Sequence, residues 1–282
     1  MTGTLLIIGV GFMGGSLALA LRHSGYGGKI LGVDINSQAL EEATARGIID
    51  IGFESFDEVD WNEVNSVILA TPVRTFRNIA GSIKNYLKGS AIVTDLGSVK
   101  GRLVLDLENT LGPRFVGSHP IAGTEKSGVS NSKADLFRAK KIITTPTQNT
   151  DPDALESVES LWRSVGGVIE RMDPFLHDRV FGAVSHLPHA VAFALIDAII
   201  ELSREVDLFM YPGGGFKDFT RIAKSDPVMW RDIFLENRQN TIEAIETFIE
   251  SLDKLKILIK EEKEEALTGF LREAKERRMS ME

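Results

Sequence analysis

Along the first three-fifths of the chain, short apolar blocks alternate with segments in which apolar residues recur every three or four positions. Thr4-Leu5-Leu6-Ile7-Ile8, Ile30-Leu31-Gly32-Val33, Val67-Ile68-Leu69-Ala70, Ala91-Ile92-Val93-Thr94, Phe115-Val116, Lys140–Thr145 and Gly167–Glu170 read as strands. Ser16–Leu21, Val99–Thr110 and Pro152–Ser164 read as helices between them. Strands that alternate with helices in this way predict an α/β fold, a doubly wound parallel sheet covered on both faces. After Asp173-Pro174 the strand-like blocks stop and helical spacing takes over. A domain boundary is expected there, with 1–173 as the α/β domain and 174–282 as an all-helical one.

In the helical half, Phe175–Leu202 reads as one long helix. From Ala190 to Ile200 its single charge is Asp197, and a helix apolar nearly all round has to be buried on every side. Pro188 removes the hydrogen bond from position 188 to the carbonyl of Val184, so a kink is expected at that point. A last helix from Pro227 to about Lys263 would run roughly 55 Å at about 1.5 Å per residue. Ile242, Ile245, Ile249, Leu252, Leu255 and Ile259 form a seam of coiled-coil spacing along it. One small domain cannot cover both surfaces, which predicts a homodimer through the helical domain. The charged tail from Lys260 to Arg278 reads as a solvated, frayed helix, and Gly213-Gly214-Gly215 as a loop that can approach a ligand closely.

Composition narrows the function classes. Among 282 residues there is no cysteine, which excludes disulfides, thiolate nucleophiles and cysteine–zinc sites. A net charge of −8 with scattered basic residues points away from nucleic acid and toward a small-molecule ligand. No apolar run reaches about 18 residues and no basic flank precedes the first strand, so no membrane span is expected and a cytoplasmic protein is.

The candidate chemistry starts at Gly9-Val10-Gly11-Phe12-Met13-Gly14-Gly15, placed between the first strand and a helix. Gly9 suits a tight turn, Gly11 a close approach to a pyrophosphate, and Gly14 close packing of helix on strand. Phe12 and Met13 open the helix, whose free N–H groups favour phosphate. Asp34 ends the second strand, twenty positions after Gly14. A carboxylate there binds ribose hydroxyls and repels a 2′-phosphate, which predicts NAD over NADP. Thr71-Pro72-Val73 and Asp95-Leu96-Gly97-Ser98 follow later strands and are expected to line the same crevice, with Ser98 near the nicotinamide or as N-cap of the next helix.

Gly117-Ser118-His119-Pro120-Ile121-Ala122-Gly123-Thr124-Glu125 supplies the candidate reactive centre. An imidazole at a strand end among small residues can accept a proton from a substrate at neutral pH. Ser185-His186-Leu187-Pro188-His189 brings a serine and two histidines to the kink. No third ligand accompanies them, so no metal is expected, and polar contacts to a substrate are favoured, with His186 alternatively a satisfied core histidine. Arg221 is the best-placed cation to hold a carboxylate.

Six motifs taken in order, Gly9–Ser16, Asp95–Lys100, Gly117–Gly123, His177-Asp178, Ser185–His189 and Gly215–Arg221, make the chain resemble the prephenate dehydrogenases of the TyrA family along nearly its whole length. The resemblance implies a Rossmann-type domain followed by a helical dimerisation domain, and NAD-dependent oxidative decarboxylation of prephenate to 4-hydroxyphenylpyruvate on the route to tyrosine. It makes His119 the catalytic histidine and Ser98 the serine that orients it. His189 and Arg221 fall at substrate-binding positions, Glu125 and Asp178 in an ionic network of the site, and Trp230 at a residue lent across the dimer. Arogenate is the alternative substrate and tyrosine a candidate inhibitor, a point the sequence leaves open. More remote alternatives are another NAD-linked dehydrogenase with a helical second domain, and a regulator that senses NAD.

Overall fold

The computed structural model describes residues 3–123 and 126–281. Among them β1 (Thr4–Ile8), β2 (Ile30–Val33), β3 (Ile51–Phe53), β4 (Val64–Leu69), β5 (Ile92–Asp95), β6 (Phe115–Pro120), β7 (Lys141–Thr145) and β8 (Val168–Arg171) form one sheet in the order β3-β2-β1-β4-β5-β6-β7-β8. The order reverses beside β1, so a crevice opens at the carboxyl ends of β1 and β4. All pairings are parallel except β6 with β7, where His119 lies opposite Ile143. The expected doubly wound parallel sheet is thus present, with one antiparallel pair in it. A parallel return needs a crossover, usually a helix. Between β6 and β7 the described chain forms only the short 3₁₀ turn Val129–Asn131, so it comes back from the edge at which it left.

Helices α1 (Phe12–His23), α2 (Ser37–Ala45), α3 (Phe76–Ile83), α4 (Gly101–Leu111) and α5 (Pro152–Ser164) cover both faces. Alternate residues of β1 serve different cores, because successive strand side chains point to opposite faces. Leu5 and Ile7 pack with Leu17, Leu21, Phe137 and Trp162, while Leu6 and Ile8 pack with Phe76, Leu103 and Phe115. Trp230 and Ile233 join the second cluster, so the helical half docks on the α3–α4 side of the sheet.

That half begins with α6 (Pro174–Phe181). Asp173 caps it by accepting from the backbone N–H of Phe175 and Leu176 at 2.9 Å each, and Pro174 takes the first turn, where no N–H is needed. One π-helical turn, Gly182–His186, then leads into α7 (Leu187–Leu202). The irregularity expected at Pro188 is thus a widened turn just before it, which absorbs the ring and the missing N–H without ending the helix. The combined run Pro174–Leu202 is long and apolar enough to cross a membrane, contrary to the sequence expectation. Within the chain only Ala192 of α7 is buried, and Val184, Ile200 and Leu202 are exposed, so burial on every side does not hold for the single chain.

Three further expectations change. The triple glycine is not a loop: Gly213 caps α8 (Gly214–Thr220) and the other two glycines open it. The last long helix is divided into α9 (Pro227–Glu236) and α10 (Arg238–Lys260), because Asn237 turns its amide inward to the carbonyl of Asp178 at 2.7 Å and to His186 Nδ1 at 3.0 Å. The charged tail forms a full helix, α11 (Glu264–Met279), with none of its residues buried. Along the seam, Ile242, Ile249, Leu252 and Ile259 are exposed.

At Gly14 the tight packing of α1 on β1 leaves no room for a side chain. A Cβ there would overlap the carbonyl oxygen of Gly9 and lie 2.9 Å from Ile7 Cγ2. In an open helix Gly→Ala stabilises by about 1 kcal/mol. Gly14→Ala is expected to destabilise instead, by about 1–3 kcal/mol, read as a lower urea midpoint. A raised midpoint would contradict the packing.

Candidate functional site

The glycine turn sits at the carboxyl end of β1. Gly9 has φ 100°, and a Cβ on it would come within 2.7 Å of the Ala70 carbonyl, so the turn demands glycine. A Cβ on Gly11 would meet nothing within 4 Å, which leaves open space in front of the helix. Gly11 caps α1 without a side-chain hydrogen bond and no acidic residue stands in the first turn, so the helix end is free to receive an anion. Asp34 is fixed at the tip of β2 by the N–H groups of Val10 at 2.8 Å and Asn36 at 2.9 Å. These residues fit a dinucleotide, with the pyrophosphate at α1 and a ribose at Asp34. Phe12 is buried in the core beside the half-buried Met13, so their contribution to the cradle is the backbone of the first turn. Thr71, Pro72 and Val73 follow β4 at the same edge, with Thr71 tied to Thr75 through their hydroxyls at 2.7 Å and Val73 buried.

Asp95 ends β5 with its carboxylate turned inward. One carboxylate oxygen accepts from Ser118 N at 3.1 Å; the other accepts from Gly97 N at 2.8 Å and from Lys100 Nζ. The pair is almost wholly buried, and burial outweighs these partners in raising the Asp95 pKa. With its carboxylate engaged inside the protein, Asp95 pins the turn between β5 and α4. Ser98, in that turn, is half-buried and is not the N-cap of α4, a position held by Lys100.

His119 lies on β6 and is half-buried. Its Nδ1 is 2.8 Å from His177 Nε2, and His177 Nδ1 is 2.9 Å from Asp178 Oδ1. Asp178 in turn accepts from the backbone N–H of Lys100 at 2.7 Å and from that of Gly101, at the start of α4. The partner of His119 Nδ1 is therefore His177. Phe181 packs edge-on against His119 and tilted against His177, with ring centroids 5.0 and 4.5 Å away.

Burial dominates the electrostatics of this chain. It drives His119 well below the ordinary imidazole value, helped by His177, Lys100 and His186. It presses His177 to about 2, with Lys100 and His186 adding to the effect. Burial lifts Asp178 to about 6 against the pull of the Lys100 and Gly101 N–H groups and the Lys100 charge. At neutral pH both imidazoles are uncharged.

On the other side of the site, His189 Nδ1 donates to the Ser185 carbonyl at 2.9 Å and the ring stacks on Trp230, 3.7 Å between centroids. Burial lowers the His189 pKa, the Ser185 carbonyl opposes this, and the charge of the exposed Arg221 lowers it further. Trp230 is 6% exposed and its Nε1 is buried without a partner. Within its own chain it packs against His189 of the site. His186 is buried against Asn237 through Nδ1 and pressed to about 4 by burial, while its Nε2 is buried without a hydrogen-bond partner, so it is not the satisfied core histidine that was the alternative. Glu125 lies outside the described residues. Sequence reasoning gave no role to Lys100, His177 or Asn237; His177 and Lys100 were visible only inside motifs, and nothing marked Asn237.

Family models match two stretches: the prephenate dehydrogenase nucleotide-binding domain over residues 17–171 and the prephenate dehydrogenase dimerization domain over 173–273. Prephenate dehydrogenase of Bacillus subtilis (strain 168) is 36% identical over 282 residues, 99% of this chain and 76% of the relative. The chain belongs to the prephenate dehydrogenase family. It is an NAD-dependent oxidoreductase. Among solved structures, prephenate dehydrogenase of Aquifex aeolicus in complex with hydroxyphenyl propionate and NAD+ is 58% identical, with a TM-score of 0.96 and coverage of 100% of this chain and 99% of that one. Synechocystis arogenate dehydrogenase is 26% identical, with a TM-score of 0.82 over 99% of this chain and 100% of that one.

The buried histidines set an expected pH dependence of stability. His177 and His186 fall from 6.5 to about 2 and about 4 in the fold, and His119 falls with them, so each gains a proton on unfolding at mildly acid pH. Their contribution is complete above 6.5 and is lost as pH falls toward the folded values. Asp178, raised from 3.8 to about 6, works in the opposite sense and favours the fold as pH falls through that window; the raised Asp95 acts likewise. Four histidines, His189 included, against two carboxylates leave a net loss, and urea midpoints are expected to fall as pH drops below 6.5. A flat profile through that range would show the imidazoles to be charged in the fold.

Proposed function

We propose that His119 is the base of an NAD-dependent oxidative decarboxylation of prephenate, and that His189 and Arg221 hold the substrate's carboxylates. The observation that carries this reading is an uncharged, half-buried imidazole whose Nδ1 is already engaged, on a strand of the sheet that bears an open glycine cradle and fixed Asp34. Bound NAD supplies the acceptor for a hydride. The chain's residues do the rest. His119 takes the proton of the ring hydroxyl as hydride leaves the same carbon, which stabilises the carbonyl character developing there. The bond to the ring carboxylate then breaks, its electron pair enters the ring, carbon dioxide departs and the proton returns to the phenolic oxygen. Trp230 fixes the His189 ring by stacking, and the Ser185 carbonyl fixes its Nδ1, so His189 Nε2 is the nitrogen left for substrate.

Prephenate is favoured over arogenate by the closeness of the Aquifex aeolicus enzyme, solved with a phenol bearing a three-carbon acid, relative to the more distant arogenate dehydrogenase. Tyrosine shares that outline and is our expected inhibitor. Asp34 would repel a 2′-phosphate, which favours NAD over NADP. Ser98, Thr71 and Pro72 are read as nicotinamide-side contacts and Glu125 as a member of the ionic network. We read residues 1–173 and 174–282 as the two domains and the protein as a cytoplasmic homodimer. The exposed apolar face of α7 and the seam of α10 turn to the second copy rather than to lipid, in keeping with the dimerization-domain match.

Turnover with prephenate and NAD, followed at the NADH absorbance, tests the reading. His119→Asn is expected to lower kcat by about 10² to 10⁴ with KM little changed, since the amide can hydrogen-bond but takes no proton at neutral pH. Near-normal kcat would make His119 structural. Arg221→Ala is expected to raise KM more than it lowers kcat, as uniform binding contacts do; an unchanged KM would remove Arg221 from the substrate.

A further inference from the structure

Which nitrogen of His119 is free to take a proton is set by its neighbours. We infer that His177 and Asp178 are positioning residues that hold His119 in the tautomer with hydrogen on Nδ1 and the lone pair of Nε2 turned to the substrate.

The inference follows the hydrogen bonds outward from α4. Asp178 accepts from the backbone N–H of Lys100 at 2.7 Å and from that of Gly101, at the positive end of α4. Backbone N–H groups can only donate, so this carboxylate is held as an acceptor. His177 Nδ1, 2.9 Å from Asp178 Oδ1, must then carry the hydrogen. A neutral imidazole with hydrogen on Nδ1 has a bare Nε2, and that atom stands 2.8 Å from His119 Nδ1. Two bare nitrogens at this distance would repel, so His119 Nδ1 donates. The second nitrogen of neutral His119, Nε2, keeps its lone pair. Each hydrogen is fixed by the one before it, and the series starts at backbone groups that do not titrate. His177 is buried, so water does not offer it another acceptor. The charged and titratable groups facing the pair are Lys100 and His186, and the contacting aromatic ring is Phe181.

The catalytic consequence rests on His119 being the base; the tautomer itself does not. Nitrogen-15 NMR of the histidine-labelled full-length protein, free of ligands and at neutral pH, reads the tautomer directly. The expected spectrum shows His119 with a protonated Nδ1 and a bare Nε2. His177→Phe removes the acceptor, and His119 is expected to shift toward hydrogen on Nε2 while kcat falls by about 10- to 100-fold with KM little changed. His177→Gln offers an amide oxygen to the same hydrogen and is expected to recover most of both signals. Should His177→Phe not fold, Asp178→Ala serves: Lys100 N–H and His177 Nδ1 share Oδ1 of this carboxylate, so its removal takes away the acceptor of His177 Nδ1, and both rings are expected to show mixed tautomers. Wild-type His119 protonated on Nε2, or a tautomer unmoved in His177→Phe, would overturn the inference. The expected tautomer together with a fully active His119→Asn variant would support the hydrogen-bond chain while refuting the catalytic reading.

Discussion

The carboxylate of Asp178 and the first backbone N–H groups of α4 form the junction on which the rest of the site depends. Asp178 belongs to the helical half and Lys100 and Gly101 to the sheet half, so these bonds join the halves at the point where His119 needs a neighbour. A side chain at Gly101 would overlap the Asp178 carboxylate, and the approach therefore requires glycine. Lys100 serves twice, its N–H holding Asp178 and its buried ammonium holding Asp95 at the end of β5. Removing one member of such a buried pair leaves an uncompensated charge and costs about 3–5 kcal/mol. Strand end, helix start and the histidine pair are consequently fixed together.

Placing polar groups this deep has an electrostatic cost that the fold turns to use. Burial disfavours charge on the imidazoles, and the nearby Lys100 ammonium disfavours it further. An exposed histidine would be partly protonated near neutrality and so partly disabled as a base. The same desolvation that keeps His119 receptive also makes the protein sensitive to acid, so readiness for proton transfer and acid sensitivity have one origin. His189 is held differently, by a backbone carbonyl and the face of Trp230, and it feels the positive charge of Arg221, an arrangement suited to anions.

The helical half solves a second problem with the same segment. From Pro174 to Leu202 the chain carries polar site residues in its first part and an apolar surface in its last. The π-helical turn between them widens the backbone ahead of Pro188 and lets the helix continue, so His177, Asp178, His186 and His189 all project from one element. Asn237 completes this arrangement by interrupting the following helix and reaching back to Asp178 and His186.

Local pattern alone determined much of this protein. The strand–glycine–helix–acid unit was legible because its glycines answer to backbone constraints within a few residues: positive φ at Gly9, open space at Gly11 and a helix pressed on a strand at Gly14. The alternation of elements, the extent of α5 and the placing of His119 on the sheet were legible for the same reason, since hydrophobic periodicity acts over short range. Tertiary structure decided what long-range partners decide. Nothing local could show that Asp95 spends its carboxylate inside the protein, that Asn237 would break a helix to meet residues some sixty and fifty positions earlier, or that β7 would run against β6. The partner of His119 belonged to this group as well: His177 stands 58 positions away, and only the docking of the helical half on α4 brings the two rings to 2.8 Å. Periodicity records which face of an element is buried, whereas the hydrogen bonds of buried polar groups depend on which elements meet, and that is settled by the packing of the whole chain.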